Sequence, residues 1–162
     1  MKNRDFTLTL TVDQSPEEVF AAVTNVRGWW SQALEGRSAD VGDEFTYRYQ
    51  NLHRSTHRVI EAIPGKRVVW RTVDAELSHS TDPTEWIGTE ARFEIARKAG
   101  KTELRFTHVG LVPEFDCFEA CSRGWSFFVG DSLHRLITTG KGKAGPDALR
   151  GEDAAQSAGA GG

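Results

Sequence analysis

Cysteine, long apolar runs and charge of one sign are all scarce in this sequence. Its two cysteines, Cys117 and Cys121, lie four apart on one stretch. They make no disulfide framework and read as two buried thiols in a reducing compartment. No apolar run approaches the 18 or so residues of a membrane-spanning helix. The opening MKNRDFTLTLTVD lacks the apolar core of a secretory signal, so a cytoplasmic location is expected. Lys and Arg number 20 against 23 Asp and Glu, a net charge of -3. With no basic cluster, the electrostatic footprint of a nucleic-acid or membrane-surface binder is absent.

Catalytic signatures are missing as well. Gly124-Trp125-Ser126-Phe127-Phe128 has no second glycine to form a nucleophile elbow. There is no phosphate-cradling glycine-rich loop and no paired-carboxylate motif. Asp74, Glu76, Asp82 and Glu85 read as one solvated loop. His53 and His57, if both lie in an extended segment, are about 13 Å apart at 3.3 Å per residue, too far to share a metal. Cys117 and Cys121 suit a soft metal in type, but two further ligands are wanting. No metal and no cofactor is expected.

What is present is an aromatic-rich chain with clear periodicity. Phe6, Leu8, Leu10 and Val12 alternate with threonines, the pattern of a half-buried strand. Ser15-Pro16-Glu17-Glu18 opens a short helix: Ser15 caps, Pro16 takes the first turn and Glu18 completes a capping box. It ends near Arg27-Gly28, where Trp29-Trp30 begins a loop. Strands are predicted around Phe45, Tyr47 and Tyr49, over Arg58 to Ile63 before the Pro64-Gly65 turn, and over Arg67 to Val73 with Trp70. A polar loop spans Asp74 to Glu85. Strands resume over Trp86 to Arg97, with Phe93 on the face of Thr89, and around Leu104, Phe106 and His108. A long amphipathic helix then runs from about Pro113 to Gly142. Phe118, Cys121, Trp125, Phe128, Val129, Leu133, Leu136 and Ile137 form its apolar stripe, and Gly140 suits its C-cap. Gly124 and Gly130 inside this helix should each cost roughly 1 kcal/mol relative to Ala. Close approach of a strand or ligand, or a local bend, would account for them. Residues 1–142 form one domain, and Lys143 to Gly162, rich in Ala and Gly, is expected to be a disordered tail.

Strand, short helix, meandering strands and long helix imply an α+β fold with an antiparallel sheet. At this level the chain resembles the START/Bet v1-like helix-grip superfamily, also called SRPBCC. Within it the match is to the branch named after the C-terminal domain of the activator of Hsp90 ATPase. The resemblance spans roughly Phe6 to Gly142 and rests on Ser15-Pro16-Glu17-Glu18-Val19-Phe20, Trp29-Trp30, Pro64-Gly65-Lys66-Arg67-Val68-Val69-Trp70, Glu85-Trp86-Ile87-Gly88-Thr89, Phe106-Thr107-His108-Val109-Gly110-Leu111, and Gly124-Trp125 with Ser132-Leu133 and Thr139-Gly140-Lys141-Gly142. It implies a helix-grip fold, a curved antiparallel β-sheet wrapped around a long C-terminal α-helix with a hydrophobic cavity between them.

The cavity would be lined by aromatics of both layers: Trp30, Tyr47, Tyr49, Trp70, Trp86, Phe93, Phe106, Trp125 and Phe128. The alternative is that these rings fill a core. His108 shares a face with Leu104 and Phe106, either as a satisfied structural group or as a polar group that orients a ligand or moves a proton. Three functions stand side by side. The first is binding of a hydrophobic or aromatic small molecule, lipid or polyketide-like. The second is a cyclase or hydrolase using the same cavity with His108 as the titrating group. The third is a co-chaperone module partnering Hsp90. The eukaryotic activator carries a preceding N-terminal domain not found before Phe6, so direct ATPase activation is not expected.

Overall fold

A computed structural model of the chain describes residues 5–49, 53–78, 84–112 and 118–144. Strand β1 (Phe6–Val12) leads into helix α1 (Pro16–Thr24) and the single turn α2 (Val26–Trp29). Strands β2 (Glu35–Gly36), β3 (Glu44–Tyr49), β4 (His53–Ile63), β5 (Arg67–Leu77), β6 (Glu90–Lys98) and β7 (Lys101–Val109) follow. The chain then enters α3 (Phe118–Phe127), a π-helical stretch (Phe128–Leu133) and α4 (His134–Thr139). These last three run on as one helix of 22 residues. The strands form a curved seven-stranded sheet in the order β1-β7-β6-β5-β4-β3-β2, every neighbouring pair antiparallel. The architecture is therefore the α+β helix-grip fold. Among the described residues no helix is long and apolar enough to cross a membrane.

Local chemistry sets the frame. The Ser15 hydroxyl accepts from the Glu18 amide at 3.1 Å, and the Glu18 carboxylate accepts from the Ser15 amide at 2.9 Å. This reciprocal box starts α1 with Pro16 in its first turn, a cap worth about 1 kcal/mol. On the solvent face, charges pair across strands: Arg58 with Glu44, Arg71 with Glu90 and Arg67 with Glu94. Pairs this exposed add at most about 1 kcal/mol each, and they neutralise the face without building a patch of one sign.

Several boundaries differ from the sequence reading. Strand β4 starts at His53 rather than Arg58, and β5 continues to Leu77. Asp74 and Glu76 therefore stand on a strand, not in a loop, facing Arg54 at 2.8 and 3.8 Å. That cross-strand guanidinium makes an acidic strand end tolerable. Trp86 lies in a turn rather than a strand, because Gly88, with φ +89°, breaks the extended run. The turn is stitched onto β5 by Gly88 N–H to the Thr72 carbonyl and Thr72 N–H to the Thr89 carbonyl, both 2.9 Å. Trp29 belongs to a helical turn and is fully buried. Pro113 to Cys117, Asp82, and the tail from Gly145 onward lie outside the described residues. Cys121 is only half-buried.

The π-helical stretch has a reason in sequence. Trp125, Val129, Leu133 and Ile137 recur every four residues, which overshoots a 3.6-residue turn by about 40° per repeat. A stretch bonded i to i+5 takes more residues per turn and brings them back into line. Gly130 sits inside this stretch, and a Cβ at Gly124 or Gly130 would meet nothing within 4 Å. Among the described residues no strand comes close enough to account for either glycine.

Candidate functional site

Both layers contribute to one aromatic nest. Trp30, delivered by the turn after α2, stacks on Tyr47 of β3 with ring centroids 4.4 Å apart. It stacks on Trp70 of β5 at 5.9 Å and meets Trp125 of α3 at 5.0 Å. Phe128 touches both Trp30 and Tyr47 at 6.4 Å. Behind them Trp70 packs on Phe93 at 4.9 Å, Phe93 on Phe106 at 5.0 Å and Phe106 on Trp125 at 4.7 Å. These separations are those of direct ring contact. Arg27 holds the Trp30 segment in place by donating to the carbonyls of Leu34 and Gly36 at 2.6 and 2.7 Å.

Through this apolar interior runs a chain of hydrogen-bonded polar groups. His53 Nε2 and Ser55 Oγ are 2.9 Å apart, and Ser55 Oγ is 2.8 Å from His57 Nε2. His57 Nδ1 lies 3.2 Å from Thr72 Oγ1, which is 3.5 Å from Thr89 Oγ1. Thr89 in turn is 2.8 Å from His108 Nε2, and His108 Nδ1 accepts from Trp125 Nε1 at 2.9 Å. Ser55, His57, Thr72, Thr89 and His108 are all buried. The period of a strand explains half of this: His53, Ser55 and His57 are two apart and share the inner face of β4. A β-bulge explains the rest. The register passes from Thr56 opposite Asp74 to His57 opposite Thr72, leaving Val73 as the extra residue. On β5 the buried positions accordingly shift from Trp70 and Thr72 to Ala75 and Leu77. Bulges re-aim side chains in this way, and here one sets Thr72 across from His57.

The donors fix the electronic state of the inner half. An indole N–H only donates, so His108 Nδ1 is an acceptor and its hydrogen sits on Nε2. That N–H donates to Thr89, whose own hydrogen goes to the Trp86 carbonyl at 2.6 Å. Burial lowers the His108 pKa from its usual value to about 3. His57 is lowered well below the ordinary range, first by burial and then by the proximity of His53 and His108. Both rings are neutral at physiological pH. Burial, reinforced by Tyr49, raises the Tyr47 pKa, while a hydrogen bond from Trp30 opposes the shift. The nest therefore carries no fixed charge.

Trp86 occupies the centre of this polar line. Its ring meets His53 edge-on at 4.8 Å and His108 at 4.7 Å, and lies parallel to Trp125 at 6.0 Å. The indole nitrogens of Trp86 and Trp70 are buried with no hydrogen-bond partner among the described residues. Of the residues expected to line the site, Tyr49 is half-buried at the edge of the core, and the other aromatics and His108 are buried together. Sequence reasoning missed Trp29, Phe45, Ser55, His57, Thr72 and Thr89. The alternating His-x-Ser-x-His of 53–57 was the one visible signal. Among the described residues no group of His, Cys, Asp or Glu could hold a metal ion.

Comparisons with known proteins bear on the family and the fold. No curated protein matches the chain. The solution structure of the Aha1 dimer from Colwellia psychrerythraea is similar at 26% identity and TM-score 0.68, covering 85% of this chain and 98% of that one. DynU16, a protein in the dynemicin biosynthetic locus, is similar in fold at 18% identity and TM-score 0.61 over 87% of this chain, which spans 49% of DynU16. CalU16 from Micromonospora echinospora shares the fold at 14% identity and TM-score 0.57, over 82% of this chain and 74% of its own. The model of the family described as activator of Hsp90 ATPase homolog 1-like protein matches residues 13–138. The match spans α1, the nest and nearly all of the long helix, and the chain belongs to that family.

Proposed function

We propose that the chain binds an aromatic or otherwise hydrophobic small molecule, lipid or polyketide-like, between the sheet and the long helix. The observation that carries this reading is the pair of buried donors, Trp70 Nε1 and Trp86 Nε1, without partners among the described residues. They lie in a nest whose histidines and hydroxyls are bonded to one another. An unsatisfied buried N–H costs about 1–3 kcal/mol, which a ligand acceptor would offset. Apolar contact adds about 25 cal/mol per Å² buried. The fold shared with DynU16 supports the reading at the level of architecture.

A role for His108 as a base acting on a bound molecule draws no support from its bonding, since both ring nitrogens are taken by Thr89 and Trp125. The test of binding is native mass spectrometry of gently purified protein beside a thermal-shift screen of lipids and polyketide-like aromatics. A co-purifying mass, or a melting shift that grows with ligand concentration and shrinks in Trp86→Phe, supports the proposal. The absence of both a co-purifying mass and a melting shift would overturn it.

A second reading, a co-chaperone partnering Hsp90, draws on the family and on the 26% identity to Aha1. It requires a complex with purified Hsp90 at micromolar concentrations; its absence in a pull-down would eliminate it.

A further inference from the structure

The five tryptophans divide by what their indole hydrogens meet. Trp29 donates to the Val23 carbonyl at 3.2 Å, Trp125 to His108 at 2.9 Å, and Trp30 to Tyr47. Trp70 and Trp86, 0% and 3% exposed, have no partner for theirs among the described residues. Both of these rings pack on His57, at 5.7 and 6.2 Å between centroids, and Trp86 also meets His108 at 4.7 Å. Neither histidine has a nitrogen left for them. His57 is engaged by Ser55 and Thr72, and His108 by Thr89 and Trp125. What this part of the nest still lacks is an acceptor.

Charge narrows what can supply it. Among the described residues no Lys, Arg, Asp or Glu is buried; the buried polar side chains are Ser, Thr and His. Burial holds both His57 and His108 in the neutral form. A carboxylate entering here would find no cation, and an unpaired buried ion costs more than two neutral N–H groups return. An ammonium group only donates, as the two orphaned indoles do. Its attraction to ring faces is blunted because those faces already cover one another. Trp30 lies on Trp70 with planes 5° apart, and Trp86 on Trp125 with planes 10° apart. A hydroxyl brings a hydrogen that itself needs an acceptor. A carbonyl oxygen has two lone pairs and no hydrogen, and it meets the need without charge.

We propose that the nest selects an uncharged carbonyl compound with an apolar body, a ketone, quinone or lactone, over the acid and the amine of the same skeleton. The carbonyl oxygen accepts from Trp70 Nε1, Trp86 Nε1 or both. These two residues are then the specificity determinants, one carried by β5 and the other by the turn before β6. The selectivity rests on the small-molecule binding proposed for the nest and adds to it the polarity of the molecule bound.

Four compounds on one ring system separate the contributions: naphthalene, 2-acetylnaphthalene, 2-naphthoate and 2-naphthylmethylammonium. Each is titrated into the 15N-labelled full chain at pH 8, where a histidine with the ordinary pKa of about 6.5 is neutral. The ketone should bind about tenfold more tightly than the hydrocarbon, as one newly satisfied hydrogen bond supplies, and more tightly than either ion. The indole N–H resonances missing from Trp70→Phe and Trp86→Phe identify the two donors. At least one of them should move downfield with the ketone and neither with naphthalene, and the variant lacking that donor should lose the advantage of the ketone over the hydrocarbon. Naphthalene binding as tightly as the ketone, an ion binding better, or a bound ketone that moves neither resonance overturns the selectivity and leaves the nest a binding site. If none of the four binds while the wider screen yields another ligand, the selectivity is again wrong and the site is not. If neither yields a ligand, both fall. Should a variant fail to fold, the order of affinities on the unaltered chain decides.

Discussion

Trp125 of the long helix donates its indole hydrogen to His108 of the adjoining sheet at 2.9 Å, with both side chains buried. One bond thereby docks the helix on the sheet and sets the tautomer of an interior histidine. Trp125→Phe keeps an aromatic ring but removes the donor, leaving a buried acceptor unpaired. A loss of about 1–3 kcal/mol is expected, seen as a lower urea midpoint. The His108 nitrogens should also lose their fixed donor and acceptor shifts. A variant as stable as the original, with an unchanged His108 spectrum, would show the bond to be dispensable.

The depressed pKa values of His57 and His108 give a pH dependence of stability with a definite sign. Both folded-state values lie below the unfolded value of about 6.5, so the unfolded chain binds more protons below that pH. Stability from these groups is fully present above about 6.5 and declines as pH falls toward their folded values, about 3 for His108. Each contributes a slope of about 1.4 kcal/mol per pH unit in that window. Asp74 and Asp131, whose pKa values are lowered mainly by bonds to Arg54 and Arg135, add stability that is present above the carboxylate range and is lost only as pH falls through and below it. Urea denaturation at pH 8, 7, 6 and 5 should show a plateau and then a fall; a flat profile to pH 5 contradicts the neutral buried pair.

Two glycines should respond to alanine in opposite directions. At Gly124 a Cβ meets nothing within 4 Å, and the backbone is helical, so Gly124→Ala should stabilise by about 1 kcal/mol. At Gly142 a Cβ would run into the Gly28 carbonyl and lie 3.0 Å from the Ser132 carbonyl. Gly142→Ala should therefore destabilise, because neither contact is a flexible side-chain end. Thermal melts of the two single variants decide; shifts of the same sign would refute the assignment.

Ser132 makes a clasp at the π-helical stretch. Its hydroxyl donates to the Trp29 carbonyl at 2.7 Å and accepts from the Lys143 amide at 2.7 Å. Ser132→Ala leaves both backbone groups without this partner and should cost about 1–3 kcal/mol. Hydrogen exchange of the Lys143 amide should quicken more than that of β6; equal protection in both proteins would remove the clasp from the account.

Much of this was legible in the sequence. Period-2 alternation in Phe6–Val12, the Ser15–Glu18 capping box and the apolar stripe of the helix are local patterns, and they gave the element order and the α+β helix-grip class. The aromatics at 30, 47, 70, 86, 93, 106, 125 and 128 were also recognisable, because large rings at inward positions of strand and helix must meet somewhere. Strand ends around His53 and Leu77 were hidden by polar residues whose partners lie on the neighbouring strand. The π-helical stretch was invisible to a fixed 3.6-residue template.

The sequence by itself determined which faces were apolar, because side-chain direction follows from φ and ψ along a short stretch of chain. Only the tertiary structure decided what the buried polar groups do. The bulge at Val73 sets Thr72 opposite His57, the turn stitched to β5 brings Thr89 to His108, and the helix presents the Trp125 N–H. Hydrogen bonds demand placement to within a few tenths of an ångström, and residues far apart in the chain reach that placement only once the sheet has closed around the helix.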